Sequence, residues 1–250
     1  MKRETVTSAR NPLLVHLKKL LAARSYREAC GEFAADGTKL LEEAAKWYPG
    51  LETVVVQTGV ELCPLPEHVR VVEIPESLMR SVSQMEAPQG AIFICRLPEA
   101  RPAALRPGTL LLDGIQDPGN LGTILRTADA LEVPVVLLDG CADAYNPKTV
   151  RATMGAVFRT QPVRMTRAEA VQSCRAAGIP LLATAMSADA VDLRKKNLSG
   201  CAVVSGSEGR GVSAELFAAA DGKIIIPMNP RCESLNAAAA ATIVLWQMKC

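Results

Sequence analysis

From Thr109 onward the chain alternates short, continuously apolar runs with helical segments. The runs are Thr109–Asp113, Val135–Leu138, Leu181–Ala183, Cys201–Ser205 and Lys223–Ile226. A strand that is apolar at every residue is buried on both faces, so these runs predict a mostly parallel sheet covered by helices on either side. The last segment, Leu235–Lys249, is rich in alanine and predicts a helix. The first hundred residues read differently. Leu13, Leu14, Leu17, Leu20 and Leu21 fall at helical spacing behind Pro12, and a second helix is expected over Gly37–Lys46. Strands follow at Thr53–Gln57, Val69–Ile74 and Gly90–Cys95, which makes a small α/β unit. Between the two patterns, Leu97–Gly108 holds three prolines and a glycine and reads as a linker. The expected division is residues 1–97, a linker over 98–108, and residues 109–250.

Composition narrows the class. At 250 residues, 49% hydrophobic and 22% charged, the chain is long and apolar enough for a packed core, and wholesale disorder is excluded. Eight cysteines stand apart, none in a CxxC pair, and His16 and His68 are the two histidines. That argues against a zinc site of ordinary spacing, so no metal is expected, and scattered thiols suit a reducing compartment. No apolar run reaches ~18 residues and the first residues lack a signal-peptide core, so a soluble, cytoplasmic protein without membrane partners is expected.

The net charge of +2 hides an asymmetry. Residues 1–27 carry Lys2, Arg3, Arg10, Lys18, Lys19, Arg24 and Arg27 against the single acid Glu4. A solvated helix face explains this, and so does an electrostatic footprint for phosphate. Aromatic residues, at 4%, are too sparse for a sheet that stacks many bases.

Three segments could carry chemistry. In Leu112–Ala130 a strand ends at Asp113, a Pro-Gly turn follows, and Asn120 is expected to open a helix containing Arg126. Asn120 suits a helix cap, and Arg126 suits a surface ion pair. The carboxyl end of a strand in an open α/β sheet is also where ligands sit. In Val203–Val212 the glycines run G-x-x-G-x-G, which is not the dinucleotide order G-x-G-x-x-G, and no Walker-type loop occurs. Glu208 inside that loop suits a cation or a donor group better than phosphate. In Ile224–Ala238 a strand stops at Pro227, and Ser234 or Asn236 is placed to cap the last helix. Each segment has a purely structural explanation by itself.

Taken in order, Asn120-x-Gly122-x-x-x-Arg126-Thr127-Ala128, Gly206-Ser207-Glu208-Gly209-x-Gly211, and Ile226-Pro227-Met228 through Ser234-Leu235-Asn236 resemble the three motifs of the SpoU (TrmH) family. These are S-adenosylmethionine-dependent RNA ribose 2′-O-methyltransferases of the SPOUT superfamily. The likeness runs over about residues 108–249, and Arg151–Val163 resembles the family's basic mid-segment. Ser8–Pro12, Phe33 to Gly37 and Val82–Gly90 are similar to the family's L30e-like RNA substrate-binding domain. The resemblance implies an α/β fold: a carboxy-terminal α/β-knot, a parallel sheet threaded into a trefoil, with a smaller amino-terminal L30e-like α/β domain. It also implies a homodimer whose interface lies near the cofactor sites.

Carried over residue by residue, Gly206, Ile226 and Leu235 match cofactor positions, and Thr184 and Met228 border the adenosine. Arg126 matches the catalytic arginine, with Asn120, Glu208, Ser234 and Asn236 as supporting polar positions. A ribose 2′-oxygen, a poor nucleophile at neutral pH, attacks the sulfonium methyl. Arginine stays protonated in nearly every protein setting, so its expected role is to grip phosphate and stabilise the developing alkoxide; direct proton abstraction, which needs a strongly depressed pKa, is the alternative. Glu208 is expected to orient Asn120 or Arg126, and Ser234 and Asn236 to hold the ribose. Arg10, Lys18, Lys19, Arg24, Arg27, Arg151 and Arg159 are the expected RNA contacts, joined by Arg164 and Arg167. Thr153 stands where many members carry serine, and Ala237–Ala241 replaces a mixed run of small residues. The added amino-terminal domain suggests large-subunit (23S-type) ribosomal RNA as substrate. The alternatives are transfer RNA or a catalytically silent RNA-binding module. A nucleotide-dependent dehydrogenase is disfavoured by the glycine order.

Overall fold

The computed structural model describes residues 4–99, 105–207, 209–229 and 231–250. The linker expected over 98–108 therefore lies partly outside the described residues. The chain forms two compact units, and they are not simple halves: the first joins the residues up to Glu99 with Tyr145–Arg159, and the second takes the rest.

The first unit runs β1 (Glu4–Thr5), α1 (Pro12–Ala22), α2 (Arg24–Cys30), β2 (Glu32–Asp36), α3 (Thr38–Trp47), β3 (Leu51–Gln57), β4 (Arg70–Ile74), α4 (Glu76–Val82) and β5 (Ala91–Arg96). Its sheet has the order β1-β4-β3-β5-β2, parallel at β1–β4 and β4–β3, antiparallel at β3–β5 and β5–β2. Side chains alternate across each strand, and here both sets are buried. Phe33, Ala35, Val54 and Phe93 point to one face, and Ala34, Val55, Ile92 and Ile94 to the other. Leu14, Leu17, Leu20 and Leu21 of α1 close the second face, as their helical spacing predicts. The first face is closed by α3 together with Val150, Val157 and Phe158 from the detached segment. Fully burying a Val or Phe side chain contributes roughly 1.5–3 kcal/mol, so that segment is an integral wall of this core.

The second unit begins with β6 (Thr109–Asp113), α5 (Pro118–Ala130) and β7 (Val135–Leu137). The chain then leaves for α6 (Pro147–Ala152) and α7 (Ala156–Arg159), the segment just described. It returns through β8 (Val163–Arg164), α8 (Arg167–Ala177), β9 (Leu181–Thr184), β10 (Val191–Asp192), β11 (Ala202–Gly206), α9 (Ala214–Ala219), β12 (Gly222–Ile225) and α10 (Ala237–Gln247). Its seven strands lie in the order β10-β12-β9-β11-β6-β7-β8, and every pair is parallel. The expected class, a parallel α/β sheet with a smaller amino-terminal sheet unit, is the one found. All carboxyl ends of these strands share one edge, and α10 packs against α5 beside it.

One detail at that edge corrects the sequence reading. Helix α5 starts at Pro118, and its cap is Asp117, whose side chain accepts from the backbone N–H of Asn120 at 2.8 Å. Proline preset at the first helical position makes Asp117 the natural cap. Asn120 therefore lies inside the first turn.

Candidate active site

Three strand ends, those of β9, β11 and β12, open onto a cavity of about 350 Å³. Its lining includes Thr184 at the end of β9, Gly206 at the end of β11, Ile226 and Met228 after β12, and Ser234 and Leu235 before α10. The structure thus gathers all five expected cofactor positions in one place. Ser205, Met186 and Phe217 line it too and were missed by the motifs; a hydroxyl one residue before the first loop glycine was the one available signal. The volume falls in the ~300–1,000 Å³ range of small-molecule sites, and the mixture of apolar side chains and loop backbone suits a flat adenine ring. These residues fit S-adenosylmethionine. Among the described residues no group of three or more His, Cys, Asp or Glu gathers as metal ligands would.

The glycine loop is shaped first by its own backbone. Ser207 N–H donates to the Gly211 carbonyl at 3.1 Å, and Gly211 N–H donates back to the Ser207 carbonyl at 2.9 Å. The return strand passes so close that a Cβ on Gly206 would stand 2.0 Å from the Gly211 carbonyl carbon. Gly211 itself sits at φ +64°, where side chains are strained. Glu208, expected to orient Asn120 or Arg126, lies outside the described residues.

Asn120 meets Asn236: its Oδ1 accepts from Asn236 Nδ2 at 3.1 Å. Asn236 Oδ1 accepts from the N–H groups of Ala238 and Ala239, so Asn236 caps α10. Capping fixes which way the amide points, because only its oxygen can accept. The nitrogen is thereby aimed at Asn120, and the start of α10 is tied to the first turn of α5. Ser234, two residues before that cap, is exposed at the cavity.

Arg126 lies on α5, exposed, six residues beyond Asn120. It makes no hydrogen bond or ion pair with another described residue. A permanent charge with no counter-ion among the described residues is available to an incoming anion.

The basic residues divide sharply. Arg10, Lys18, Lys19 and Arg24 are exposed. Lys19 Nζ lies 5.3 Å from the Tyr26 ring centre, and Arg24 pairs with Glu28 at 2.7 Å. An exposed pair of that kind is worth under about 1 kcal/mol. Arg27 is different, at 2% exposure with Nη1 donating to the Leu20 carbonyl at 2.7 Å. It braces the corner between α1 and α2 and is not presented to RNA. Arg159 is paired with Glu43. Arg151 is half-buried beside Asp36; burial pushes the Asp36 carboxyl up, against the opposing pull of the Ser83 hydroxyl and the Arg151 charge.

The comparisons with known proteins agree with this geometry. Residues 107–246 match the SpoU rRNA Methylase family, and residues 11–92 match the MRM3-like substrate binding domain. The chain is 34% identical to the 23S rRNA (guanosine(2553)-2′-O)-methyltransferase RlmP of Bacillus subtilis (strain 168), over 98% of each chain. The AdoMet-bound rRNA methyltransferase from Sinorhizobium meliloti is similar in structure, with a TM-score of 0.87 at 29% identity over 99% of this chain and 97% of that one. The SpoU methyltransferase AviRb from Streptomyces viridochromogenes, in complex with AdoMet, gives 0.83 at 29% identity over 96% and 97%. A parallel α/β unit with a ligand cavity at its strand ends, in a chain whose first unit matches a substrate-binding domain and whose second matches an rRNA methylase family, is thus a nucleic-acid methyltransferase. The chain belongs to the SpoU rRNA methylase family, and it is an S-adenosylmethionine-dependent RNA 2′-O-methyltransferase.

Proposed function

We propose that the target is a ribose 2′-hydroxyl of large-subunit ribosomal RNA. The observation that carries the chemistry is Arg126: an exposed guanidinium with no counter-ion among the described residues, on a helix whose first turn is tied to the cavity's far wall through Asn120 and Asn236. When bound, S-adenosylmethionine supplies a methyl group on a sulfonium, open to in-line attack. Thr184, Gly206, Ile226, Met228 and Leu235 hold it. Arg126 draws in the phosphate next to the target and offsets the negative charge that grows on the 2′-oxygen as its proton leaves. Ser234 and Asn236 hold the ribose. Glu208 belongs to the same polar group by its motif alone.

The substrate class rests on the first unit, which matches a substrate-binding domain, and on Arg10, Lys18, Lys19 and Arg24 on its surface. Similarity over nearly the full length to a 23S rRNA enzyme favours ribosomal over transfer RNA. Phosphate contacts release counter-ions, so binding to deproteinised large-subunit RNA is expected to weaken steeply with salt. The double substitution Lys18→Glu, Lys19→Glu is expected to weaken it about tenfold or more and to flatten that slope. Filter binding across a salt series checks both, with cofactor affinity as the control. Equal binding by wild type and variant would remove this face from the RNA site.

A second copy of the chain is the proposed partner. Ile243 and Trp246 stand 39% and 62% exposed on α10, one turn apart with Ala239 above them, on the helix that begins beside the cavity. Large apolar side chains grouped on a solvent-facing helix stripe support a surface covered by a partner. Sedimentation at twice the chain mass is the expected result, and a monomer the contrary one. Among the described residues no helix is long and apolar enough to cross a membrane. The free cysteines support a place in the reducing cytoplasm.

A further inference from the structure

Strand β6 ends on Asp113, which is 2% exposed. A buried carboxylate is tolerated when both its oxygens are satisfied, and here they are. Oδ1 accepts from Arg167 Nε at 2.8 Å and lies 2.8 Å from Arg167 Nη2. Oδ2 accepts the backbone N–H of Ser213, also at 2.8 Å. Arg167 opens α8 and is held in turn by Asp139, whose side chain accepts the Arg167 backbone N–H and whose carbonyl accepts from Nη2, each at 3.1 Å. That guanidinium, expected from the sequence to meet RNA, is committed inside the protein.

Ser213 stands at the end of the glycine loop, immediately before α9. Gly206 stands at its start, and Gly206 is the β11 residue in register with Asp113. Both ends of the loop therefore meet at one residue: the start through the strand pairing, the return through a hydrogen bond to the carboxylate. Ser213 offers no substitute, since its side chain makes no cap bond to α9 and its buried hydroxyl has no partner among the described residues. Between these ends, Gly206, Ser207, Gly209, Arg210, Gly211 and Val212 line one wall of the cavity.

We propose that Asp113, aimed by Arg167, is a positioning residue that pins the 206–213 loop and thereby sets the affinity for S-adenosylmethionine. This rests on the reading of the cavity as the cofactor site. Arg167 takes one oxygen with two donors and so turns the other toward Ser213, a geometry lysine cannot reproduce. Asp113 touches neither the cofactor nor the RNA in this account.

Two substitutions test it. Asp113→Asn keeps the shape but offers one acceptor oxygen where three N–H donors converge on two, so its NH2 faces either Arg167 or the Ser213 N–H. Ser213→Pro deletes that N–H together with the unpartnered hydroxyl, and its ring carbon, standing where the hydrogen was, pushes the loop's return off Asp113 Oδ2; Ser213 has φ −61°, the value a proline ring imposes. In both variants, without ligand, amide exchange over residues 207–212 is expected to quicken about tenfold or more while the central strands keep their protection. Calorimetric Kd for S-adenosylmethionine is expected to rise about tenfold or more, with kcat at saturating cofactor within about twofold. If Asp113→Asn does not fold, Ser213→Pro still decides the matter. A folded variant with wild-type exchange and wild-type affinity overturns the proposal. Wild-type protein that binds no S-adenosylmethionine overturns the reading of the cavity instead, and loop exchange in the ligand-free variants still decides whether Asp113 pins the loop.

Discussion

Replacing Gly206 with alanine is expected to weaken cofactor binding by about a hundredfold or more in a protein that still folds. The added methyl would sit 2.0 Å from the Gly211 carbonyl carbon and 2.2 Å from both the Gly211 oxygen and the Val212 nitrogen. These are backbone atoms, so no rotamer change relieves the contact, and the loop must swing away from β11. Doing so breaks the paired Ser207–Gly211 hydrogen bonds and displaces a whole wall of the cavity. Overpacking of this kind costs about 1–3 kcal/mol of stability, a minor part of what a 250-residue chain holds. The functional loss is far larger, because a misplaced wall removes many contacts at once. Calorimetry should give a Kd for S-adenosylmethionine weakened by about a hundredfold or more, with a Tm lower by several degrees. Near-normal binding would mean that the loop is not the cofactor's wall.

Replacing Arg126 with alanine is expected to do the reverse: leave cofactor binding intact and remove methyl transfer. Arg126 is exposed and is not part of the cavity lining, so truncation opens no void and disturbs no contact with the bound cofactor. In the proposed mechanism its work begins when charge develops on the ribose oxygen. Loss of a preorganised donor at such a site typically lowers kcat by about 10²–10³-fold. Arg126→Lys keeps the charge but loses the planar fork, and an intermediate rate is expected. Rates measured at saturating cofactor and RNA check the order arginine, lysine, alanine. Equal rates for all three would move the catalytic charge elsewhere.

How far the sequence alone could reach is clear from particular residues. The parallel strands were legible because each is continuously apolar, and their ends fell within a residue or two of expectation. Strand β2 was not legible, since Glu32–Asp36 begins and ends on acids and is buried at Phe33–Asp36 only through its neighbours. Strands β1, β8 and β10 are two residues each and exist as pairings, with no pattern of their own. The place of Tyr145–Arg159 could not be read either. Val150, Val157 and Phe158 are plainly apolar, but nothing local says which core they fill. That placement matters for experiments: cutting away residues 1–100 would strip these three side chains of their partners, so a truncated chain is a poor test of which unit binds RNA. Charge counting likewise could not separate Arg27, which is buried, from Lys18 and Lys19, which are not.

At the site, the motifs located the loops and the structure supplied the reasons. Gly206 was expected to let backbone approach a ligand; what requires its lack of a side chain is the loop's own return past it. Asn120 was expected to cap a helix; Asp117 does so, and Asn120 instead receives the amide of Asn236, 116 residues away. Contacts of such sequence separation depend on topology, which local pattern does not carry.

The most direct test of the central claim is transfer of labelled methyl from S-adenosylmethionine to unmodified ribosomal and transfer RNA by the wild-type chain, followed by alkaline hydrolysis. A 2′-O-methyl group blocks cleavage at its own linkage, so the account predicts label in alkali-resistant dinucleotides from large-subunit RNA. Label released in alkali as single nucleotides, or confined to transfer RNA, would contradict it: the first by placing the methyl on a base, the second by overturning the substrate.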